Sequence, residues 1–233
     1  MPPSPFIEIR PPVIQLAIDL FTVDDALRLA EIGVKAGVDW LEAGTPLIVR
    51  RGADAIGAIA RAFPEYPVLA DYKTMDSGGK NVHLTKDQGG HIMTVCAGAP
   101  DETIKSAVAA GKETGVMVIV DSIGVKDQVK RAKEVQALGV ENFYLHYGAD
   151  ERRADDSKDC TQWLDAVSAA VTMTVGCGTF GVEDGIVAAK GGADVIVIGH
   201  PLISGPDPLA ALKAYCERVR AAYRPRPHLE RPM

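Results

Sequence analysis

Short apolar runs alternate along this chain with longer segments in which apolar residues recur at helical spacing. The first run, residues 13–19, has the composition of a buried strand and ends in the carboxylate Asp19. Thr22 can then cap a helix that extends to about Lys35, and Gly37 can close that helix. The pattern therefore predicts one strand-helix unit in this segment.

The same unit recurs along the rest of the chain. Strands are predicted at residues 13–19, 39–44, 67–73, 91–96, 116–121, 142–146, 172–176 and 194–198. Helices are predicted at residues 22–35, 53–63, 78–88, 102–114, 126–138, 160–170, 182–190 and 208–223. Eight such units favour an α/β fold, a single-domain (β/α)8 TIM barrel over residues 13–223. A doubly wound sheet is the alternative.

The ends of the chain do not follow this pattern. Residues 1–12 form an irregular, proline-rich N-terminal lead, and residues 224–233 form a tail rich in proline and arginine. We expect the tail to be loose or packed on a partner.

Composition narrows the class of protein. A chain of 233 residues with 47% hydrophobic residues can fill one barrel core, and its formal charge of -6 argues against nucleic acid as a partner. The four cysteines are widely spaced, which predicts reduced thiols rather than a zinc site or a disulfide framework. No segment has the length of a membrane span or the form of a signal peptide, so we predict a cytoplasmic protein without a membrane partner.

Two carboxylates flank a lysine at the end of the third predicted strand. In a regular strand, Asp71 and Lys73 project to the same side about 7 Å apart, and Asp76 lies in the turn beyond. Such buried charges are costly unless they compensate one another or hold a metal or substrate. The alternative is an ordinary surface ion pair, with Asp76 capping the next helix.

Polar residues occur at the carboxyl end of nearly every predicted strand. They are Asp19, Glu42, Asp71, Lys73, Asp121, His146, the Gly176-Cys177-Gly178 turn, and Gly199 with His200. In a barrel these ends meet at one mouth, which predicts an active site there. Separate capping of each following helix would explain one or two of these positions.

The chemistry of this set suggests a divalent metal. Glu42 and Asp71 are the expected Mg²⁺ ligands, because Mg²⁺ prefers carboxylate oxygens. Lys73 among carboxylates stays protonated, which suits a proton donor or anion stabiliser. His146 can transfer protons, although a single histidine at a strand end can also be structural.

Two glycine-containing segments fit a phosphate group. In barrels, phosphate often binds at the loops after strands seven and eight, which here contain Gly178 and Thr179, and Gly199 and His200. Two ordinary glycine turns are the alternative.

These residues together resemble the orotidine 5'-phosphate decarboxylase superfamily, and within it the hexulose-6-phosphate synthase and 3-keto-L-gulonate-6-phosphate decarboxylase families. The resemblance covers about residues 15–212. Its landmarks are residues 16–19, 41–46, 70–78, 94–95 and 120–121, His146 with Gly148 and Asp150, and the two glycine turns.

The resemblance implies a homodimer of barrels with shared active sites, in which the partner chain supplies Asp76. It implies Mg²⁺ on Glu42 and Asp71, and an enediolate of a phosphorylated sugar substrate. The expected catalytic residues are Lys73, Asp76, His146, Asp121 and Asp71. The expected substrate-binding residues are Asp19, Thr45, Gly178, Thr179, Gly199 and His200.

Two positions separate the two activities, and a third fits neither. The decarboxylase has Glu where this chain has Asp121, and Arg where it has Ala149; His200 departs from both groups. The leading expectation is therefore an aldolase-type carbon-carbon lyase that joins ribulose 5-phosphate and formaldehyde. A decarboxylase of a 3-keto sugar-acid phosphate is the first alternative, and a non-catalytic sugar-phosphate-binding barrel is the second.

Overall fold

Eight parallel strands close into a barrel in which each strand pairs with its neighbours in sequence and β8 pairs with β1. A computed structural model describes residue 7 and residues 9–226. The strands are Val13–Ile18 (β1), Trp40–Ala43 (β2), Val68–Thr74 (β3), Ile92–Cys96 (β4), Met117–Asp121 (β5), Asn142–Leu145 (β6), Thr174–Thr179 (β7) and Val195–Ile198 (β8). The predicted (β/α)8 barrel is confirmed.

The helices surround the barrel. They are Val23–Ala36 (α1), Thr45–Arg51 (α2), Asp54–Ala62 (α3), Gly78–Asp87 (α4), Asp101–Thr114 (α5), Gln128–Ala137 (α6), Ala149–Ala154 (α7), Leu164–Ala170 (α8), Val182–Lys190 (α9) and Pro208–Ala222 (α10). α1 has both predicted caps: the Thr22 side chain accepts the Asp25 N–H, and Gly37 adopts a left-handed conformation with φ 93°.

Two apolar cores hold the fold together. The larger core lies between strands and helices, and includes Leu16, Leu41 and Tyr215. The smaller core contains inward-facing strand residues, namely Val13, Trp40, Leu69, Ile92, Ile119, Tyr144 and Val195. Because side chains alternate along a strand, the next inward positions lie nearer the carboxyl ends, where the polar residues occur.

The structure differs from the prediction in the loops. Two short helices, α2 and α7, follow β2 and β6 where none was expected. Residues Cys160–Trp163 form a 3-10 helix before α8. β7 extends to Thr179, so the predicted Gly176-Cys177-Gly178 turn is part of a strand. Gly176 fits there because it lies opposite Tyr144 in the strand register, where a side chain would meet the Tyr144 ring.

The start of the tail packs on its own barrel. The Arg224 N–H donates to the Ala189 carbonyl at 3.0 Å. The Arg226 guanidinium is buried, contacts the Asp194 carboxylate and donates to the Met173 carbonyl at 3.2 Å. Residues 224–226 are therefore not loose, and residues 227–233 lie outside the described part of the chain.

Two further expectations concern the chain as a whole. All four cysteines are free and buried, as predicted. Among the residues that the structure describes, no helix has the length and apolarity needed to span a membrane.

Candidate active site

The mouth, where the carboxyl ends of the strands meet, opens into a cavity of about 1110 Å³. Alternate residues of the strands line its wall, as expected for inward-facing side chains. Those that line it are Gln15, Ala17, Asp19, Glu42, Asp71, Lys73, Thr94, Asp121, Tyr144, His146, Gly178, Val197 and Gly199. Thr45, Thr179 and His200 also line it, so every predicted site residue except Asp76 lies at this cavity.

Glu42 lies on β2 and is buried. Its Oε2 accepts a hydrogen bond from Gln15 Nε2 at 2.6 Å, and Oε1 accepts none from the described residues. Burial raises the pKa of Glu42 well above its usual range, and the Asp71 and Asp19 carboxylates add to this effect. A cation at this carboxylate would offset both causes.

Asp71 is held by three side chains. Thr45 Oγ1 lies 2.7 Å from Oδ2, and Thr94 Oγ1 donates to Oδ1 at 2.8 Å. The Lys73 ammonium also contacts Oδ2. Asp71 is 4% exposed, so these donors replace the water that a buried carboxylate loses.

The Lys73 side chain contacts Asp71, but the backbone between them differs from the regular strand that was predicted. β3 changes register between Ala70 and Thr74, and Lys73 adopts a left-handed backbone with φ 47°. Its N–H donates to Thr94 Oγ1 at 3.1 Å. Regular strand alternation therefore does not explain the pair. A left-handed conformation is uncommon for a residue other than glycine, and strained backbone often occurs at functional sites.

The charge on Lys73 is stabilised. Burial alone would lower the pKa of its ammonium, but Asp71, Asp121 and Glu42 outweigh burial and raise that pKa. Lys73 is therefore a cation within the mouth, which suits stabilisation of a developing anion.

Asp121 and His146 form a second pair. Asp121 Oδ2 lies 2.7 Å from His146 Nδ1, and Oδ1 accepts the Ile123 N–H at 2.8 Å. Burial disfavours the charged form of both groups, but in each case the charge of the partner helps to outweigh the effect of burial. The pKa of His146 is raised by Asp121, and the pKa of Asp121 is lowered by His146, Lys73 and the Ile123 N–H.

Asp19 lies at the rim of the cavity. Loss of water within the concave mouth raises its pKa, and the Asp71 carboxylate adds to the effect. Gly44 lies beside it, and a Cβ on Gly44 would come within 2.2 Å of Asp19 Oδ1. Glycine at this position therefore leaves room for the Asp19 carboxylate.

The predicted phosphate segments lie together, but one side chain is used elsewhere. The Thr179 hydroxyl donates to the Val197 carbonyl at 2.7 Å and lies 2.7 Å from the Tyr215 hydroxyl. Only its backbone can serve an anion. Gly199 approaches Ala17 so closely that a Cβ would lie 3.0 Å from the Ala17 carbonyl oxygen. His200 is exposed, and its Nδ1 lies 2.7 Å from Ser204 Oγ.

Asp76 lies outside the cavity of its own chain. It is exposed, and its Oδ1 accepts the Ser77 N–H at 2.6 Å. Ser77, not Asp76, is the N-cap residue of α4, so the capping interpretation of Asp76 is wrong. The structure does not bring Asp76 to the other predicted residues within one chain.

The donor set fits a magnesium ion held partly by substrate. Within residues 7 and 9–226, no three His, Cys, Asp or Glu side chains converge as a complete metal site. Mg²⁺ usually takes one or two carboxylates together with water and substrate oxygens. Among the described residues none donates to Glu42 Oε1, and burial together with the Asp71 and Asp19 carboxylates raises the pKa of Glu42. Glu42 and Asp71 are therefore compatible with the predicted ion.

Comparison with known proteins assigns the chain to a family. The model of the orotidine 5'-phosphate decarboxylase / HUMPS family matches residues 12–215. The chain belongs to this family. It is 38% identical over 200 residues to a 3-hexulose-6-phosphate synthase of Mycobacterium gastri, which covers 86% of this chain and 96% of that protein. It is 34% identical over 196 residues to the Bacillus subtilis protein of the same name, which covers 83% and 92%.

A solved structure supports the same assignment to the orotidine 5'-phosphate decarboxylase / HUMPS family. The crystal structure of a 3-hexulose-6-phosphate synthase superposes with a TM-score of 0.82 at 36% identity, over 91% of this chain and 100% of that chain. The expectation of a carbon-carbon lyase is confirmed by these relatives.

Within this family fold, sequence reasoning missed three residues of the site. Thr94 holds Asp71 and the Lys73 backbone, and Gln15 and Tyr144 lie beneath Glu42. A signal existed for Gln15, because it is the one polar residue in the strand Val13–Ile18. The hydroxyl of Tyr144 had no such signal, since its partner is 129 residues away.

Proposed function

We propose that this chain is a 3-hexulose-6-phosphate synthase that joins ribulose 5-phosphate and formaldehyde with Mg²⁺. The observation that carries the proposal is the presence of two stabilised pairs, Asp71 with Lys73 and Asp121 with His146, in one cavity. A carbanion-forming reaction needs a base for a carbon-bound proton and a cation for the oxygen that becomes negative. The named relatives support the same activity.

The base in this proposal is His146. Its neutral imidazole takes the proton from C1 of the ketose, and the electron pair of that bond forms the enediolate. C1 then attacks the carbon of formaldehyde, and the former aldehyde oxygen takes up a proton. Because Asp121 raises the pKa of His146, the imidazole is a stronger base than an unpaired histidine.

The other pair, Asp71 with Lys73, stabilises the anion. Lys73 places a positive charge in a partly buried site, where it acts on the oxygens of the enediolate. Mg²⁺ held by Glu42 and Asp71 would supply further positive charge to those oxygens. Asp19 and Thr45 lie at the same cavity and are proposed to contact the sugar hydroxyls.

The phosphate is proposed to bind at the other side of the mouth. Gly178, Thr179, Gly199 and His200 line the cavity there, after the strands whose loops often bind phosphate in barrels. Because the Thr179 hydroxyl is paired with Val197 and Tyr215, its contribution to phosphate binding would come from the backbone N–H.

Formaldehyde consumption tests the function directly. The purified protein with ribulose 5-phosphate and Mg²⁺ should consume formaldehyde, and EDTA should stop the reaction. Lys73→Ala should slow it at least about 100-fold, since it removes a preorganised charge at the developing anion. Lys105→Ala on the exposed face of α5 is the matched control and should retain full activity.

Other outcomes select the alternatives. Release of CO2 from a 3-keto sugar-acid phosphate, without formaldehyde consumption, would identify a decarboxylase. Sugar-phosphate binding without Mg²⁺-dependent turnover would identify a non-catalytic binding barrel. A fully active Lys73→Ala variant would refute the assignment of Lys73.

A further inference from the structure

A chain of buried hydrogen bonds lies beneath Glu42. The Tyr144 hydroxyl donates to Gln15 Oε1 at 2.8 Å, and Gln15 Nε2 donates to Glu42 Oε2 at 2.6 Å. Gln15 and Tyr144 are 1% and 6% exposed. These contacts link β6, β1 and β2 across the barrel interior.

The direction of each hydrogen bond is fixed by chemistry. A carboxylate that binds a cation is ionised and only accepts, so in the metal-bound state the amide NH₂ of Gln15 must face Glu42. The amide oxygen of Gln15 then faces Tyr144, and the hydroxyl must donate. With Oε2 held in this way, Oε1 is left without a donor among the described residues and can face the cavity that Glu42 lines.

The Tyr144 ring is held in place by packing. It lies in the apolar core with Trp40, Ile119 and Val195. On the β7 side, a Cβ on Gly176 would come within 2.3 Å of the ring, so glycine makes the space that the ring fills. A ring confined by its neighbours presents its hydroxyl at one position only.

We infer that Gln15 and Tyr144 are positioning residues for Glu42, which orient its free oxygen toward a divalent cation at the mouth. This inference rests on the proposed function, because it takes Glu42 as a metal ligand. Outer partners that orient a metal ligand typically change metal affinity by about 10- to 100-fold when removed. They do so without contacting the metal.

The test measures metal binding without turnover. Isothermal titration of the purified full-length protein in the presence of ribulose 5-phosphate and without formaldehyde, with MgCl₂ and with MnCl₂ as a second probe, gives the dissociation constant for each variant. Tyr144→Phe should weaken binding about tenfold, and Gln15→Leu should weaken it at least as much. Because Tyr144 acts through Gln15, the double variant should bind no more weakly than Gln15→Leu alone.

Tyr215→Phe is the matched control. It also removes one buried, hydrogen-bonded hydroxyl, but that hydroxyl contacts Thr179 and not the Glu42 network. We expect its metal affinity to equal that of the wild type even if its melting temperature falls by as much as that of Tyr144→Phe. Equal affinities for wild type, Tyr144→Phe and Gln15→Leu would overturn the inference and leave the proposed metal site standing. Glu42→Gln is expected to bind neither ion. If the wild type also binds neither ion, both the inference and the proposed metal site are overturned.

Discussion

Two carboxylates in the mouth, Asp71 and Asp121, are held by neighbours that offset their burial. Asp71 has Thr45, Thr94 and Lys73, and Asp121 has His146 and the Ile123 N–H. Glu42 differs, because only Gln15 donates to it and its pKa is raised. Such an imbalance within otherwise satisfied pairs is typical of a place where a ligand completes the site.

The first prediction concerns the pair of Asp121 and His146. In Asp121→Asn the carboxylate that outweighs burial is lost, while burial and Lys73 still act against the imidazolium. The pKa of His146 should therefore fall from its raised value. The protein then loses the proton from His146 at lower pH than the wild type. An NMR titration of the histidine C2 proton measures this directly.

Activity gives an independent check of the same prediction. A base must be unprotonated, so the wild-type rate should decline as pH falls through the raised pKa of His146, and in Asp121→Asn this decline should move to lower pH. Asp54→Asn on α3, outside the cavity, should leave both profiles unchanged. A His146 pKa that stays in place in Asp121→Asn would show that the pair does not control the base.

At the scale of elements, the features that depend on a local sequence pattern were predicted correctly. The caps of α1 and the span of α9 were predicted because they depend on residues adjacent in the chain. The left-handed Lys73 was not predicted, because its conformation is held by Thr94 on the next strand. β7 was predicted to end too early, because the two glycines of residues 176–178 are typical of a turn, whereas Gly176 lies within the strand opposite the large Tyr144 ring.

The second prediction concerns this strand. In Gly176→Ala the new Cβ would meet the Tyr144 ring at 2.3 Å, which is too close for packing without movement. We expect the free energy of unfolding to fall by about 1–3 kcal/mol, the usual cost of overpacking. Urea denaturation measures the change. Gly205→Ala is the control, since its Cβ would meet nothing within 4 Å and should cost little.

A second substitution separates overpacking from the loss of glycine itself. Tyr144→Leu removes the ring that the new Cβ would meet, so Gly176→Ala should cost less in that background than in the wild type. If the two changes are simply additive, the close contact between β6 and β7 is not the reason for glycine.

At the scale of the whole molecule, the predicted site residue Asp76 has no role within a single chain. Asp76 is exposed and outside the cavity. Large apolar side chains are also exposed near the carboxyl ends of the first three strands, namely Phe21, Val49 and Met75, which are 57%, 80% and 53% exposed. Exposed apolar groups on one end of a molecule favour an interface. We therefore keep the proposal of a homodimer in which Asp76 enters the partner's site.

The third prediction tests this arrangement by mixing two inactive variants. In a dimer of one Lys73→Ala chain and one Asp76→Asn chain, one site carries both changes and the other carries neither. Random exchange makes half of the dimers mixed, and each has one intact site of two, so about one quarter of wild-type activity should return. The variants are co-refolded in equal amounts, native mass spectrometry counts the mixed dimers, and formaldehyde consumption gives the activity.

The control pair is Lys73→Ala with His146→Ala. Both residues line the cavity of their own barrel, so every site in that mixture carries one change and no activity should return. Recovery with Asp76→Asn but not with His146→Ala would show that Asp76 acts across the interface, because only a residue supplied in trans can be separated from Lys73 in this way. A protein that sediments as a monomer, or mixed dimers without activity, would instead show that no partner chain supplies Asp76 to the site. A fully active Asp76→Asn variant would place Asp76 outside the catalytic machinery, and the site would then be complete with the residues that line the mouth of a single barrel.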